Sequence, residues 1–222
     1  MFNHITHSFP TIVQENTENG RFYVTPNGQK YPSITTILSA ESKDGIDAWR
    51  KKVGDAHADK ISRNAATRGT AVHAIIEKYL NNEDVSRESI MPNAKSLFIR
   101  MKPELHKLNN IHCLEQRLYS HELGLAGTVD CIAEHDGVLS VIDFKTSAKI
   151  KKVEYIKNYF MQGAAYSKMF YDMTSVKIDK VVILIGVDES NFCQTMIENP
   201  WNHIVDLKRC IENYHRGKRN GN

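Results

Sequence analysis

Little in this chain speaks for a membrane, an export route or a redox scaffold. Its 222 residues include only four cysteines, Cys113, Cys131, Cys193 and Cys210. They are far apart and lack any CxxC spacing, which favours free buried thiols over disulfides or zinc. The longest apolar runs, such as Val181 to Ile185, are strand-sized and too short to cross a bilayer. The segment Met1 to Phe22 carries Glu15, Glu18 and a single arginine. It has neither the apolar block of a signal peptide nor the Arg-rich, acid-poor character of a transit peptide. A cytoplasmic setting is the expectation. The net charge of +3 is too small to announce a polyanionic partner by itself.

What is present is ordinary for a folded domain. Hydrophobic residues make up 41% and charged residues 25%, enough to bury one sizeable core, so residues 1–222 are read as a single domain. The placement of charge says more than its sum. Lys145, Lys149, Lys151, Lys152 and Lys157 face only Glu154 in their segment, and His215, Arg216, Lys218 and Arg219 form a basic tail. Such clusters suit phosphate backbones, although a solvated lysine face looks the same in sequence.

Residues 1–20 read as irregular and polar. A small hairpin is expected around Pro26, Asn27 and Gly28, followed by a short helix from Pro32-Ser33 to about Ala40 with Ser33 as N-cap. Helices are expected over Gly45 to about Asn64, Thr70 to about Asn81 and Asn93 to Leu108, a helical block spanning about 45–110. Ile46, Trp49, Val53, Ala56 and Ile61 mark the first, with Trp49 a packing anchor more than a stacking platform. In the second, Gly69, His73 and Glu77 are spaced by four and share a stripe. Leu97, Ile99, Met101 and Leu105 anchor the third.

A strand follows over Ile111 to Glu122, with Ile111, Cys113, Glu115, Arg117 and Tyr119 on one face and Leu114 and Leu118 on the other. Glu115 either reaches a site or pairs with Arg117. Gly124 and Gly127 suggest a bend. After the next hairpin come a helix from Tyr155 to Tyr171, a doubly buried strand over Lys177 to Val187 and a closing helix from Asn202 to His215. Helices, three strands, helix, strand, helix give an α/β fold: a mixed sheet flanked by helices.

The hairpin from Gly127 to Thr146 holds the residues that packing explains least. Asp130 interrupts Val129, Cys131 and Ile132, and Asp143 sits between Ile142 and Phe144. A carboxylate among so much apolar surface is costly unless a cation or hydrogen bonds compensate it. Lys145, two residues after Asp143, emerges on the same strand face. Two carboxylates and an ammonium converging on adjacent strands point to a divalent-metal phosphodiesterase site.

Four motifs in order now fall into place: Gly69-Thr70-Ala71-Val72-His73, Gly127-Thr128-Val129-Asp130, Asp143-Phe144-Lys145-Thr146 and Gln162-Gly163-Ala164-Ala165-Tyr166. The set resembles the RecB-like branch of the PD-(D/E)xK nuclease superfamily. Tyr31-Pro32-Ser33-Ile34-Thr35-Thr36-Ile37-Leu38 and Leu125 to Ser147 are similar to a family of genome-maintenance exonucleases and their phage relatives.

The resemblance implies a restriction-endonuclease-like core at about 111–190, with the helical block able to cover the site. It implies His73, Asp130, Asp143 and the Phe144 carbonyl as ligands of Mg2+ or Mn2+, with Glu115 a possible addition. Asp130, Asp143 and Lys145 would carry the chemistry, Lys145 orienting the attacking water, while Gln162 and Tyr166 position the strand or brace the site. Lys149, Lys151 and Lys152 would meet DNA. The activity implied is exonuclease action on single-stranded DNA or DNA ends in replication, recombination or repair. A structure-specific flap or junction endonuclease and a non-catalytic DNA-binding module are the alternatives. The cysteines do not fit the four-cysteine layout of some relatives, so no iron–sulfur cluster is expected. No Walker A sequence is present, so a helicase would be another chain, as would a single-strand-binding or annealing partner. The missing targeting segment points to a bacterial or phage protein.

Overall fold

A computed structural model describes residues 1–220, with side chains through residue 218; Arg219 of the basic tail falls outside the described side chains. Strands β1 (Val13–Thr17), β2 (Gly20–Val24) and β3 (Lys30–Pro32) form a small antiparallel sheet. The expected hairpin is its second half; β1 arises in the stretch read as irregular, because exposed polar residues gave it no apolar alternation. Helix α1 (Ile34–Glu41) starts where its cap predicts, the Ser33 hydroxyl accepting the Thr36 N–H.

The next two helices depart from expectation. They are α2 (Lys43–Val53) and a 26-residue α3 (Asp55–Leu80), divided at Gly54, whose φ of 86° ends one helix and starts the next. The first expected helix is thus cut within its length, and the second is only the C-terminal half of α3. No residue of α2 is buried, and Ile46 and Ile61 are exposed, so those apolar positions do not mark a packed face. Helix α4 (Pro92–Leu105) carries Pro92 at its first turn, where a missing N–H costs nothing, instead of in the preceding loop. Ile99 is 56% exposed and no anchor, while Leu108 begins a strand.

The main sheet contains β4 (Leu108–Ser120), β5 (Leu125–His135), β6 (Val138–Ser147), β7 (Val181–Val187) and β8 (Cys193–Glu198), in that spatial order. Only β6 and β7 run parallel, joined by α5 (Lys157–Thr174). Tyr155 lies before that helix in a single 3₁₀ turn. The chain closes with α6 (Ile204–Asn220), whose Leu207 and Ile211 point inward. Strand β8 has no counterpart in the expected order: its residues are half-buried to exposed, as on a sheet edge, without the alternation that reveals a strand.

Apolar residues of α1, α5 and α6 cover one sheet face, and those of α4 and the C-terminal half of α3 cover the other. Strand β7 is buried throughout, Val181, Ile183 and Ile185 facing one layer and Val182 and Leu184 the other. The β5–β6 turn is Asp136-Gly137, with φ of 51° and 74°, the left-handed pair a two-residue hairpin requires.

Strand β4 breaks the strict alternation expected of it. Cys113 and Leu118 pack on the α5 side, Ile111 and Leu114 on the α4 side. The register slips between Asn109 and Cys113, and Asn110 and Glu115 adopt φ of 45° and 48°. Residues of like parity thus change sides between Ile111 and Cys113, within the slip, and again between Leu114 and Leu118, across Glu115.

Gly127 makes no bend; it lies within β5, where a Cβ would come within 2.8 Å of the Tyr166 ring. Gly163 of α5 meets β7 in the same way: its Cβ would lie 2.6 Å from Val181 Cγ1. Gly163→Ala is therefore expected to lower unfolding free energy in urea by about 1–3 kcal/mol through overpacking. Gly45→Ala in α2, with open space around it, should be neutral or stabilising by up to about 1 kcal/mol.

Candidate active site and metal centre

Between the main sheet, α3 and the small sheet lies a cavity of about 460 Å³. His73, Glu115, Asp130, Lys145, Gln162 and Tyr166 all line it. Helix α3 supplies His73, spaced by four from Gly69 and Glu77, so that all three reach the cavity from one stripe. Strands β4, β5 and β6 supply the rest of the charged set, and α5 lays Gln162 and Tyr166 across the end.

One ligand atom from each of His73, Glu115 and Asp130 lies within 4.8 Å of the others. The Asp130 carboxylate accepts the Phe144 N–H at 2.9 Å, tying its own strand to β6. His73 Nε2 stands 2.7 Å from the Phe144 carbonyl oxygen. A carbonyl only accepts, so Nε2 carries the proton, and in the neutral ring Nδ1 presents a lone pair. That lone pair faces Asp130 Oδ2 at 3.7 Å. Two electron-rich atoms so close are reconciled by a cation between them or a second proton on the ring.

Glu115 joins this group through its left-handed backbone, an uncommon conformation for a residue without a short polar side chain. Burial among its neighbours pushes its carboxyl up to about 7, with Asp130 and Glu77 adding to the rise and His73 opposing it. The alternative partner is committed elsewhere, since Arg117 Nη1 donates to the Ile12 carbonyl at 2.7 Å.

Behind the cluster, Asp143 is 2% exposed. Lys145 Nζ donates to its Oδ1 at 2.5 Å, while its Oδ2 is buried without a hydrogen-bond partner. Burial drives the Asp143 carboxyl upward and the Asp130 charge adds to that, against the pull of Lys145. Desolvation works against the Lys145 ammonium, but Asp143 and Asp130 outweigh it and keep it charged. Gln162 Oε1 accepts from Nζ at 3.4 Å, and the Tyr159 ring lies 5.1 Å beneath it. The Tyr166 hydroxyl donates to the Thr128 carbonyl at 2.7 Å, an approach open only because residue 127 is glycine. The buried Tyr23 hydroxyl meets Thr128 Oγ1 at 2.9 Å from the small sheet.

The donor chemistry fits a divalent cation: several carboxylates, an orphaned buried carboxylate oxygen, and one imidazole that tilts the set toward manganese over magnesium. Not every expected residue takes part. Lys149 and Lys152 are exposed, Lys151 is half-buried, and none of the three lines the cavity. All four cysteines are free; Cys113, Cys131 and Cys210 are buried, and burial pushes the Cys113 thiol up to about 12.

Residues that carried little sequence signal also contribute. Glu77 was visible as a stripe partner of His73, and Tyr159 precedes Gln162 by three on α5. Arg21, Tyr23, Ser33 and Thr35 line the cavity from about 100 residues upstream of the hairpin, and no local pattern foretells that.

No protein-family model matches the chain. Over 147 residues it is 26% identical to human mitochondrial genome maintenance exonuclease 1, an alignment covering 61% of this chain and 42% of that protein. The mouse protein is 25% identical over 179 residues, 72% of this chain and 52% of its own length. The chain thus spans about half the length of these curated relatives. A solved protein from Eubacterium rectale, provisionally described as an exonuclease, aligns with a TM-score of 0.48 at 14% identity, covering 67% of this chain and 63% of that one. Similarity to the mitochondrial genome maintenance exonucleases thus extends along most of the chain, at 25–27% identity.

Proposed function

We propose that this chain is a divalent-metal-dependent deoxyribonuclease, an exonuclease on single-stranded DNA or DNA ends in replication, recombination or repair. The convergence of His73, Glu115 and Asp130 ligand atoms within 4.8 Å, directly in front of the buried Asp143–Lys145 pair, carries this proposal. The sequence relationship to named exonucleases supports it.

His73, Glu115 and Asp130 would hold Mg2+ or Mn2+, with Asp143 and the Phe144 carbonyl as the further donors the motifs imply. A bound divalent ion supplies Lewis-acid stabilisation of a phosphoryl oxygen and lowers the pKa of water. Lys145, held by Asp143 and Gln162, is set to orient the attacking water and to stabilise negative charge as it develops on the phosphate. Gln162 accepts from that ammonium, and Tyr166 fixes the backbone of the strand that bears Asp130. The C-terminal half of α3 lines the cavity, and helix α2 with the exposed N-terminal half of α3 would roof it, admitting a threaded single strand.

The metal centre is tested without turnover. Isothermal titration with Mn2+ should show binding by the wild type and at least about tenfold weaker binding by Glu115→Gln and His73→Ala; unchanged affinity in both would refute the ligand set.

For catalysis, Asp143→Asn is the informative change. Asp143→Ala strands the Lys145 ammonium, and losing one partner of a buried pair costs about 3–5 kcal/mol. Asp143→Asn should fold and lose at least about 100-fold of its rate on end-labelled single-stranded DNA, and the wild type should be inactive in EDTA. Degradation at the wild-type rate by the variant, or undiminished activity in EDTA, would exclude this chemistry. A closed single-stranded circle should resist where a linear strand is degraded; equal rates on both would argue against the roof.

A further inference from the structure

The cavity holding the metal cluster opens into a second groove of about 540 Å³, and the two share Arg21 and Thr35 in their walls. Their linings differ in charge. The first carries Glu77, Glu115 and Asp130. The second is lined by amides and hydroxyls, among them Asn16, Asn19 and Ser39, with Arg21 and Lys43 as its cations, and no carboxylate belongs to it. Glu15 of the same small sheet is already paired, its carboxylate accepting from Lys30 at 2.6 Å.

The cavity's own lysine, Lys145, is paired with Asp143, so a strand that continues beyond the metal ligands needs a further cation to hold its phosphates. Among the described residues lining the cavity, Arg21 is the cation whose side chain makes neither an ion pair nor a protein hydrogen bond. A guanidinium is suited to bidentate contact with phosphate oxygens.

The backbone beneath Arg21 is fixed with unusual care for an exposed residue. The Thr36 hydroxyl accepts the Arg21 N–H at 3.0 Å and donates to its carbonyl at 3.1 Å, while the Ser33 N–H donates to that same carbonyl at 2.8 Å. This clamp closes only because residue 20 is glycine. A Cβ there, at φ 108°, would fall 2.6 Å from Thr36 Cγ2. The local sequence thus anchors an uncommitted arginine at the junction of an acidic cavity and a neutral-to-basic groove.

We infer that Arg21 and the Thr35 hydroxyl form a phosphate-binding subsite, and that a nucleic-acid strand runs from the metal cluster over this junction along the second groove to Lys43. The strand's identity rests on the nuclease proposal. The test does not, since it reads binding.

Fluorescence anisotropy with an end-labelled single-stranded DNA, in Ca2+ to suppress cleavage, would be measured across a salt series. Arg21→Gln should weaken binding about five- to tenfold near ~0.1 M salt and reduce the slope of log affinity against log salt by about 0.7, the loss of one phosphate contact on a single strand. Arg21→Lys should restore the slope and Lys43→Gln should reduce it again. Thr35→Glu, which places a like charge beside the path, should weaken binding more than Arg21→Gln. Lys177→Gln, which removes a charge paired with Asp179 at 2.7 Å, should change neither quantity.

Wild-type slopes in Arg21→Gln and Lys43→Gln, an equal loss in Lys177→Gln, or no single-strand binding by the wild type would each overturn the subsite. Hydrolysis of bis(p-nitrophenyl) phosphate with Mn2+ separates the two proposals, because it reads the chemistry of the metal centre without a strand. Its hydrolysis by the wild type is expected. Its absence, with the Arg21-dependent salt slope intact, would count against the nuclease and leave the subsite standing.

Discussion

The site depends on one electrostatic constraint: more carboxylate than its own cations can neutralise, held against an apolar sheet. Asp143 and Lys145 are paired at 2.5 Å, which satisfies one oxygen of one acid. Asp130 spends an oxygen on the Phe144 N–H, and the Glu115 carboxyl is pushed up to about 7 by desolvation, with Asp130 and Glu77 adding to the rise. In a protein optimised for stability alone, apolar residues of similar volume would serve as well or better than such a cluster. The surplus of acid is what makes the place receptive to a cation. The groups around it serve mainly to keep it open: His73 held by the Phe144 carbonyl, Gln162 and Tyr159 confining Lys145, Tyr166 pinned to Thr128.

How much of this was legible in the sequence divides along a physical line. Whatever is specified by neighbours a few residues apart was readable. The Asp136-Gly137 turn, the Ser33 cap, the doubly buried β7 and the His73 stripe all follow from local dihedral preference or period. Edge strands were not, because β1 and β8 are polar and half-solvated, and pairing alone defines them. The division of the helices at Gly54 was hidden because a glycine in a polar stretch marks a kink, a cap or nothing.

Strand β4 shows the deeper limit. Period-two alternation fixes faces only in regular backbone, and like-parity residues of β4 change sides twice, once by the register slip and once across the left-handed Glu115, where pairing with β5 holds. Glu115, left open between a site and a surface ion pair, joins the ligand cluster from that left-handed position. Propensity disfavours that conformation for glutamate, so sequence points away from it. Arg21 and Tyr23 illustrate a different blindness: nothing near them in the chain concerns the hairpin, and only the docking of a separate small sheet brings them to it.

Strands β6 and β7 are parallel, so helix α5 must be laid over the sheet before they can pair. The donors and their supports come from α3, β4, β5, β6 and α5, elements scattered from residue 73 to residue 166. No hairpin or helix pair short of the complete sheet carries enough of them to bind a cation, and such long-range closures come late in folding. A chain still emerging from the ribosome, or one partly unfolded by proteolysis or heat, therefore presents scattered acids instead of a centre. A cation-receptive cluster of this design is thus a property of the finished fold alone.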